Sequence, residues 1–203
     1  MKKYFSNPTV LTSVLLSVII LMLTLFESYF FNSLSLNPEK TNQGQYWRLL
    51  TANFVHFGWP HSLMNVAALI LCTFALLSEI SPLKYLCLLL GCCLTVGTGI
   101  YWLNPEYQPY AGLSGAIHGL IVAGILLTRD YPLWVRIVAG VILIGKLANE
   151  NSGHYEANDL QILVDAKIAV ESHLYGAVGG LACALVAKIF TWAIRGKNVG
   201  KTS

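Results

Sequence analysis

Charge is what this chain lacks first: only 11% of its 203 residues are charged, against 55% hydrophobic, and its mean hydropathy is +0.59. Soluble domains carry about a quarter charged residues, so that class is excluded and a polytopic membrane protein is indicated. The basic residues sit scattered at segment ends, forming no patch that would recruit nucleic acid, so the net charge of +3 implies no such partner. Cysteine is scarce and badly spaced for chemistry. Cys72, Cys87, Cys92, Cys93 and Cys183 lie inside apolar runs with no CxxC pair, which excludes a disulfide framework or zinc finger and reads them as small buried hydrophobes. No internal repeat is visible, which argues against a small transporter. Nothing calls for a cofactor, and none is expected.

What is abundant is apolar length. A hydrocarbon core of about 30 Å needs roughly 20 apolar residues, and the first such run spans about residues 10–31 behind Lys2 and Lys3. Without the short core and cleavage site of a signal peptide, it reads as a first span. Further spans are expected at about 60–77, 83–103, 113–128, 133–147 and 168–194, in a single membrane domain over residues 1–203. Residues 32–60 form a polar, aromatic connection suited to the membrane interface. The fourth span is short, which places its beginning below the membrane surface, inside protein or beside a wet cavity.

Orientation follows from basic residues. With a cytoplasmic N-terminus, Lys2, Lys3, Lys84, Arg129, Arg136, Lys188, Arg195, Lys197 and Lys201 fall inside, while Lys40, Arg48, Lys146 and Lys167 fall outside. Both termini are then cytoplasmic, and Glu39, Glu106, Glu150, Glu156, Asp159 and Asp165 occupy outer loops.

Polar residues inside spans are costly and count as functional candidates. Ser114, within Gly112-Leu113-Ser114-Gly115, opens the fourth span, where unpaired N–H groups and the helix dipole favour developing negative charge. That arrangement suits a nucleophile beside an oxyanion site. The alternative is that Gly112, Gly115 and Gly119 merely allow close helix packing, with Ser114 bonded to its own backbone. His61 and Asn65 are four residues apart in the second span, on one helical face. His173 opens the sixth span with Gly176 and Gly180 on its face, and packing those glycines against Gly115 and Gly119 would bring its imidazole to Ser114. A second alternative, a metal bound by His56, His61, His118 and His173, lacks HxxH or HxxxH spacing and a nearby acid. His56 and His154 read as interfacial or loop residues.

In combination these motifs resemble the rhomboid intramembrane serine proteases: Trp47-Arg48, His56, His61-Ser62-Leu63-Met64-Asn65 as HxxxN, Gly112 to Gly115 as GxSG, and His173 with Gly176 and Gly180 as HxxGxxxG. Within that family, Trp59-Pro60-His61, the run Gly112 to Gly119 with its extra histidine, and Lys146 to Glu150 most resemble the rhombosortase branch. The resemblance implies an all-α, six-transmembrane-helix bundle with its core at about 46–195. It implies Ser114 as nucleophile and His173 as general base in a dyad with no third carboxylate. His61 and Asn65 would be oxyanion donors, with the Ser114 N–H as a further one, and Trp47-Arg48 would support the rim. His118 occupies a position where many rhomboids carry an aromatic residue stacked on the base, so ring packing is its expected part. Glu171 either sets the His173 environment or faces water.

The implied function is a serine endopeptidase of the bacterial inner membrane, with its active site toward the periplasm. Its substrate would be a membrane-anchored exported protein with a C-terminal hydrophobic helix, entering from the lipid bilayer and cleaved near a glycine-rich sorting anchor of the GlyGly-CTERM type. The other reading is a catalytically inactive rhomboid-like protein that binds membrane clients.

Overall fold

The computed structural model describes residues 6–152, 161–162, 164 and 167–199, with side chains through residue 191. Lys2, Lys3, His154, Glu156, Asp159, Asp165 and Lys201, used above, lie outside the described residues. Among those described the fold is helical, with no strand beyond an isolated antiparallel bridge between Leu36 and Tyr110.

Helix α1 (Pro8–Leu25) starts where Asn7 accepts hydrogen bonds from the N–H groups of Thr9 and Val10 and Pro8 presets the first turn. It ends at Phe26, so the run expected over 10–31 is broken, and Glu27, Asn32 and Ser33 fall in a separate helix, α2 (Glu27–Leu34). Two short helices follow, α3 (Pro38–Asn42) and α4 (Arg48–Thr51), with a 3-10 turn at Ala52–Phe54. The long helices then run as α5 (Gly58–Cys72, prolonged by a π turn over Thr73–Leu77), α6 (Pro82–Leu103), α7 (Ser114–Leu127), α8 (Leu133–Glu150) and α9 (Glu171–Val199). Each begins or ends within a few residues of its expected boundary, except that α9 extends beyond 194.

Four helices among the described residues are long and apolar enough to cross a membrane: α1, α5 with its π turn, α6 and α9. The other two helices of the six-span expectation do not meet that length and composition. Helix α7 is apolar but has 14 residues, about 21 Å at roughly 1.5 Å per residue, which falls short of a core about 30 Å thick. Helix α8 has the length, but Arg136, Lys146 and Glu150 interrupt its apolar run.

Helix α7 is the centre of the bundle. Gly115, Ala116, Ile117, Gly119, Leu120 and Ala123 are buried along it, and α9 presses closest. A Cβ on Gly176 would lie 1.8 Å from the Gly115 carbonyl oxygen, and one on Gly180 would lie 2.0 Å from that of Gly119. Only hydrogen fits at such a backbone-to-backbone crossing. Around this pair, Cys72, Leu89, Cys92, Cys93 and Leu113 fill the core. Cys87 corrects the reading of the cysteines: it is exposed, because its place on α6 faces away from the bundle.

The connection before α5 is pinned from inside. Arg48 Nη1 donates to the carbonyls of Asn32 (3.0 Å) and Ser35 (2.6 Å), and Thr51 Oγ1 donates to that of Leu34 (2.8 Å). Leu36 and Tyr110 exchange backbone hydrogen bonds at 2.9 and 3.0 Å, and the Gly112 N–H donates to Ala52 at 3.0 Å. The segment leading into α7 is thus held against residues 34–52.

Candidate active site

The site forms where α5, α7 and α9 begin and α8 ends. Gly112 has φ +127°, a conformation that side-chain-bearing residues rarely adopt, and a Cβ there would lie 2.6 Å from His61 Cε1. The chain can therefore turn into α7 directly beneath the His61 ring. The Leu113 N–H points to His56 Nε2 at 3.4 Å, and the His56 ring meets that of His61 edge-on with centroids 4.9 Å apart. His56 is accordingly 1% exposed, which corrects its reading as interfacial: it is a buried prop between the serine's loop and His61. Burial holds its pKa down at about 3, so the ring stays neutral and able to accept.

Ser114 and His173 are brought together by the glycine crossing. Ser114 Oγ lies 3.0 Å from His173 Nε2. On the far side of the ring, His173 Nδ1 lies 2.9 Å from Glu150 Oε2, a carboxylate 7% exposed. An ionised carboxylate only accepts, so Nδ1 carries the proton and Nε2 is left free to take one from the serine hydroxyl. A carboxylate thus lies against the imidazole, a contact that the resemblance did not imply. By sequence Glu150 falls in an outer loop and within the Lys146 to Glu150 run, but not beside His173, because it lies 23 positions away in the chain and no spacing rule joins the two. Glu171 has a different partner, accepting from the Tyr107 hydroxyl at 2.8 Å.

His118 stacks on His173, centroids 4.0 Å apart and planes inclined by 20°. Its Nδ1 donates to the Ser114 carbonyl at 2.8 Å, so its Nε2 accepts from Lys146 Nζ at 3.1 Å. Lys146 also pairs with Glu150, one turn along α8. The ligating atoms of His118, Glu150 and His173 lie within 4.8 Å of one another, and these residues could hold a metal by composition. Each of those histidine nitrogens already has a hydrogen-bond partner, and the Lys146 ammonium would repel a cation, so the arrangement needs no ion to explain it.

His61 and Asn65 face Ser114 across a cavity of about 260 Å³ whose walls include Met64, Ala111 and Ala169. Asn65 Nδ2 spends one donor on the His61 carbonyl at 2.9 Å, leaving a second N–H. His61 Nδ1 is buried without a partner among the described residues. The arrangement comprises an oriented hydroxyl, a base of fixed tautomer, and polar side chains bordering a largely apolar cleft. Trp47 and Arg48 stand apart from it; Trp47 Nε1 donates to the Ser33 carbonyl at 3.2 Å and Arg48 ties down the connection.

The Rhomboid domain family matches residues 43–189, which include every one of these site residues. One relative is YdcA of Bacillus subtilis (strain 168), named as a candidate rhomboid protease. It is 26% identical over 139 residues, or 68% of this chain and 65% of the relative. The match therefore spans just under two thirds of that relative's length.

Proposed function

Because the chain belongs to the rhomboid family, we propose that it is an intramembrane serine endopeptidase in which Ser114 is the nucleophile and His173 the general base. The single observation that carries this reading is the 3.0 Å approach of Ser114 Oγ to the unprotonated Nε2 of His173. In the acylation step Oγ attacks the scissile carbonyl carbon while its proton passes to Nε2. The tetrahedral oxyanion then collapses, and His173 returns the proton to the leaving amine. Water, deprotonated by the same base, releases the acyl group. His61 and Asn65, which line the same cavity as Ser114, serve in this proposal as donors to the oxyanion, together with the Ser114 N–H.

The substrate in this proposal is a membrane-anchored exported protein with a C-terminal hydrophobic helix, of the glycine-rich kind served by rhombosortases. The largely apolar cleft of about 260 Å³ beside Ser114 is where an extended, glycine-rich segment of such a substrate would lie in this proposal. In this proposal the enzyme sits in the inner membrane with both termini cytoplasmic and its site toward the periplasm, an orientation that the basic residues near the ends of the chain support.

A fluorophosphonate applied to the protein in native membranes tests the reading without knowledge of the substrate. Mass spectrometry should find the adduct on Ser114; an unlabelled Ser114 in folded protein favours client binding without catalysis. Replacing either His61 or Asn65 with alanine should slow labelling and cleavage by about 10²-fold or more, the usual effect of deleting one oxyanion donor, while the thermal midpoint shifts little. His118→Phe keeps a ring over His173 and should retain most activity, measured as cleavage of an anchored reporter; total loss in folded protein would give His118 a share in proton transfer.

A further inference from the structure

Helix α8 is the most loosely seated of the long helices: Ile137, Val138, Val141, Ile142 and Ile144 all face outward. Cβ atoms added at Gly140 or Gly145 would meet nothing within 4 Å. It is held by one small apolar cluster, Leu143 and Leu147 with Ala177, Ile121, Val122 and Ile125, and by polar attachments toward its two ends. Near its start, Arg136 donates to the Ile125 and Leu126 carbonyls at 2.6 and 2.9 Å. At its end, Lys146 reaches His118 and Glu150 reaches His173.

A buried carboxylate is expensive unless paired and hydrogen-bonded. Glu150 has both kinds of partner, the Lys146 ammonium on Oε1 and the His173 N–H on Oε2. Both oxygens are thereby committed, and the His173 ring can neither rotate nor change tautomer without breaking the contact. Resting on the Ser114 and His173 assignments above, we propose that Glu150 is the positioning residue of this site: it holds the Nδ1–H tautomer of His173 and stabilises the imidazolium that forms during acyl transfer, with Lys146 as its counter-ion. The machinery is then a Ser114–His173–Glu150 relay of hydrogen bonds whose third member comes from α8, and the base is oriented only while the end of α8 is docked.

Among the described residues, the charged and titratable groups facing His173 are Glu150 and Lys146 from α8, His118 from α7 and His61 from α5. Removing the anion should make the imidazole easier to deprotonate, and removing the cation should make it harder. The test is the rate of fluorophosphonate labelling at Ser114 across pH in the purified full-length protein. Glu150→Gln should slow labelling on the order of 100-fold at neutral pH and move the acid-side midpoint of the profile to lower pH. Glu150→Asp should recover part of the rate, and Lys146→Met should move the midpoint to higher pH. A wild-type rate and midpoint in Glu150→Gln overturn the proposal. So does a slow variant with an unmoved midpoint that Glu150→Asp fails to improve, because a purely structural role predicts that result. If Glu150→Gln does not fold, the Lys146→Met profile decides, and an unshifted midpoint there is equally fatal. An unlabelled Ser114 in the wild type defeats the nucleophile assignment itself, whereas failure confined to the Glu150 and Lys146 variants leaves that assignment standing.

Discussion

Replacing Ser114 with alanine is expected to drop cleavage of an anchored substrate below detection, on the order of 10⁶-fold for loss of a serine nucleophile, while leaving the fold in place. The reason for both halves is local. Ser114 is the first residue of α7, its hydroxyl caps nothing, and Oγ bonds to His173 Nε2. Alanine is the best helix former at that position, and one lost hydrogen bond costs roughly 0.5–1.5 kcal/mol. The glycine crossing beneath is untouched. Ser114→Ala should therefore insert, purify and unfold like the parent protein, yet neither accept a fluorophosphonate nor process a co-expressed reporter. His173→Ala should be as inactive, because no other base lies against Oγ among the described residues. Normal processing by Ser114→Ala would remove the protease reading altogether and return attention to client binding.

Gly176→Ala is expected to cost both stability and activity, although it adds only a single methyl group. Its Cβ would stand 1.8 Å from the Gly115 carbonyl oxygen and 2.5 Å from the carbonyl carbon. Those atoms are backbone and cannot rotate away, so α9 has to retreat from α7. Overpacking of this kind costs about 1–3 kcal/mol. The retreat matters more than the energy. His173 lies one turn before Gly176 and Ser114 immediately before Gly115, so separation of the helices lengthens the 3.0 Å contact beyond hydrogen-bonding reach. Labelling of Ser114 should fall by at least 10²-fold and the thermal midpoint should drop. Gly140→Ala, with no neighbour within 4 Å of the new methyl group, is the control and should be neutral or slightly stabilising. Wild-type labelling and unfolding in Gly176→Ala would show that the crossing does not set the geometry.

The positions of these two substitutions are legible in the sequence. Gly176 and Gly180 are spaced four apart after His173, and Gly115 and Gly119 after Ser114, so a shared helical face and a close crossing were implicit in periodicity. His56 was not: its role as a prop beneath His61 depends on residues 52–57 folding back against the loop before α7. Nor was the break at Phe26, where a continuous apolar run gives way to an exposed helix carrying Glu27 and Asn32.

Local pattern and composition by themselves determined the solvent, the helical class, the candidate hydroxyl and imidazole, and the faces that carry them, because helix periodicity and the cost of polar groups in hydrocarbon act along the chain. Only tertiary structure decided that Glu150 sits behind His173 and that Lys146 bridges it to His118. Such pairings depend on where the end of one helix lands against the start of another. Nothing in the order of residues 133–173 encodes that landing until the helices have packed.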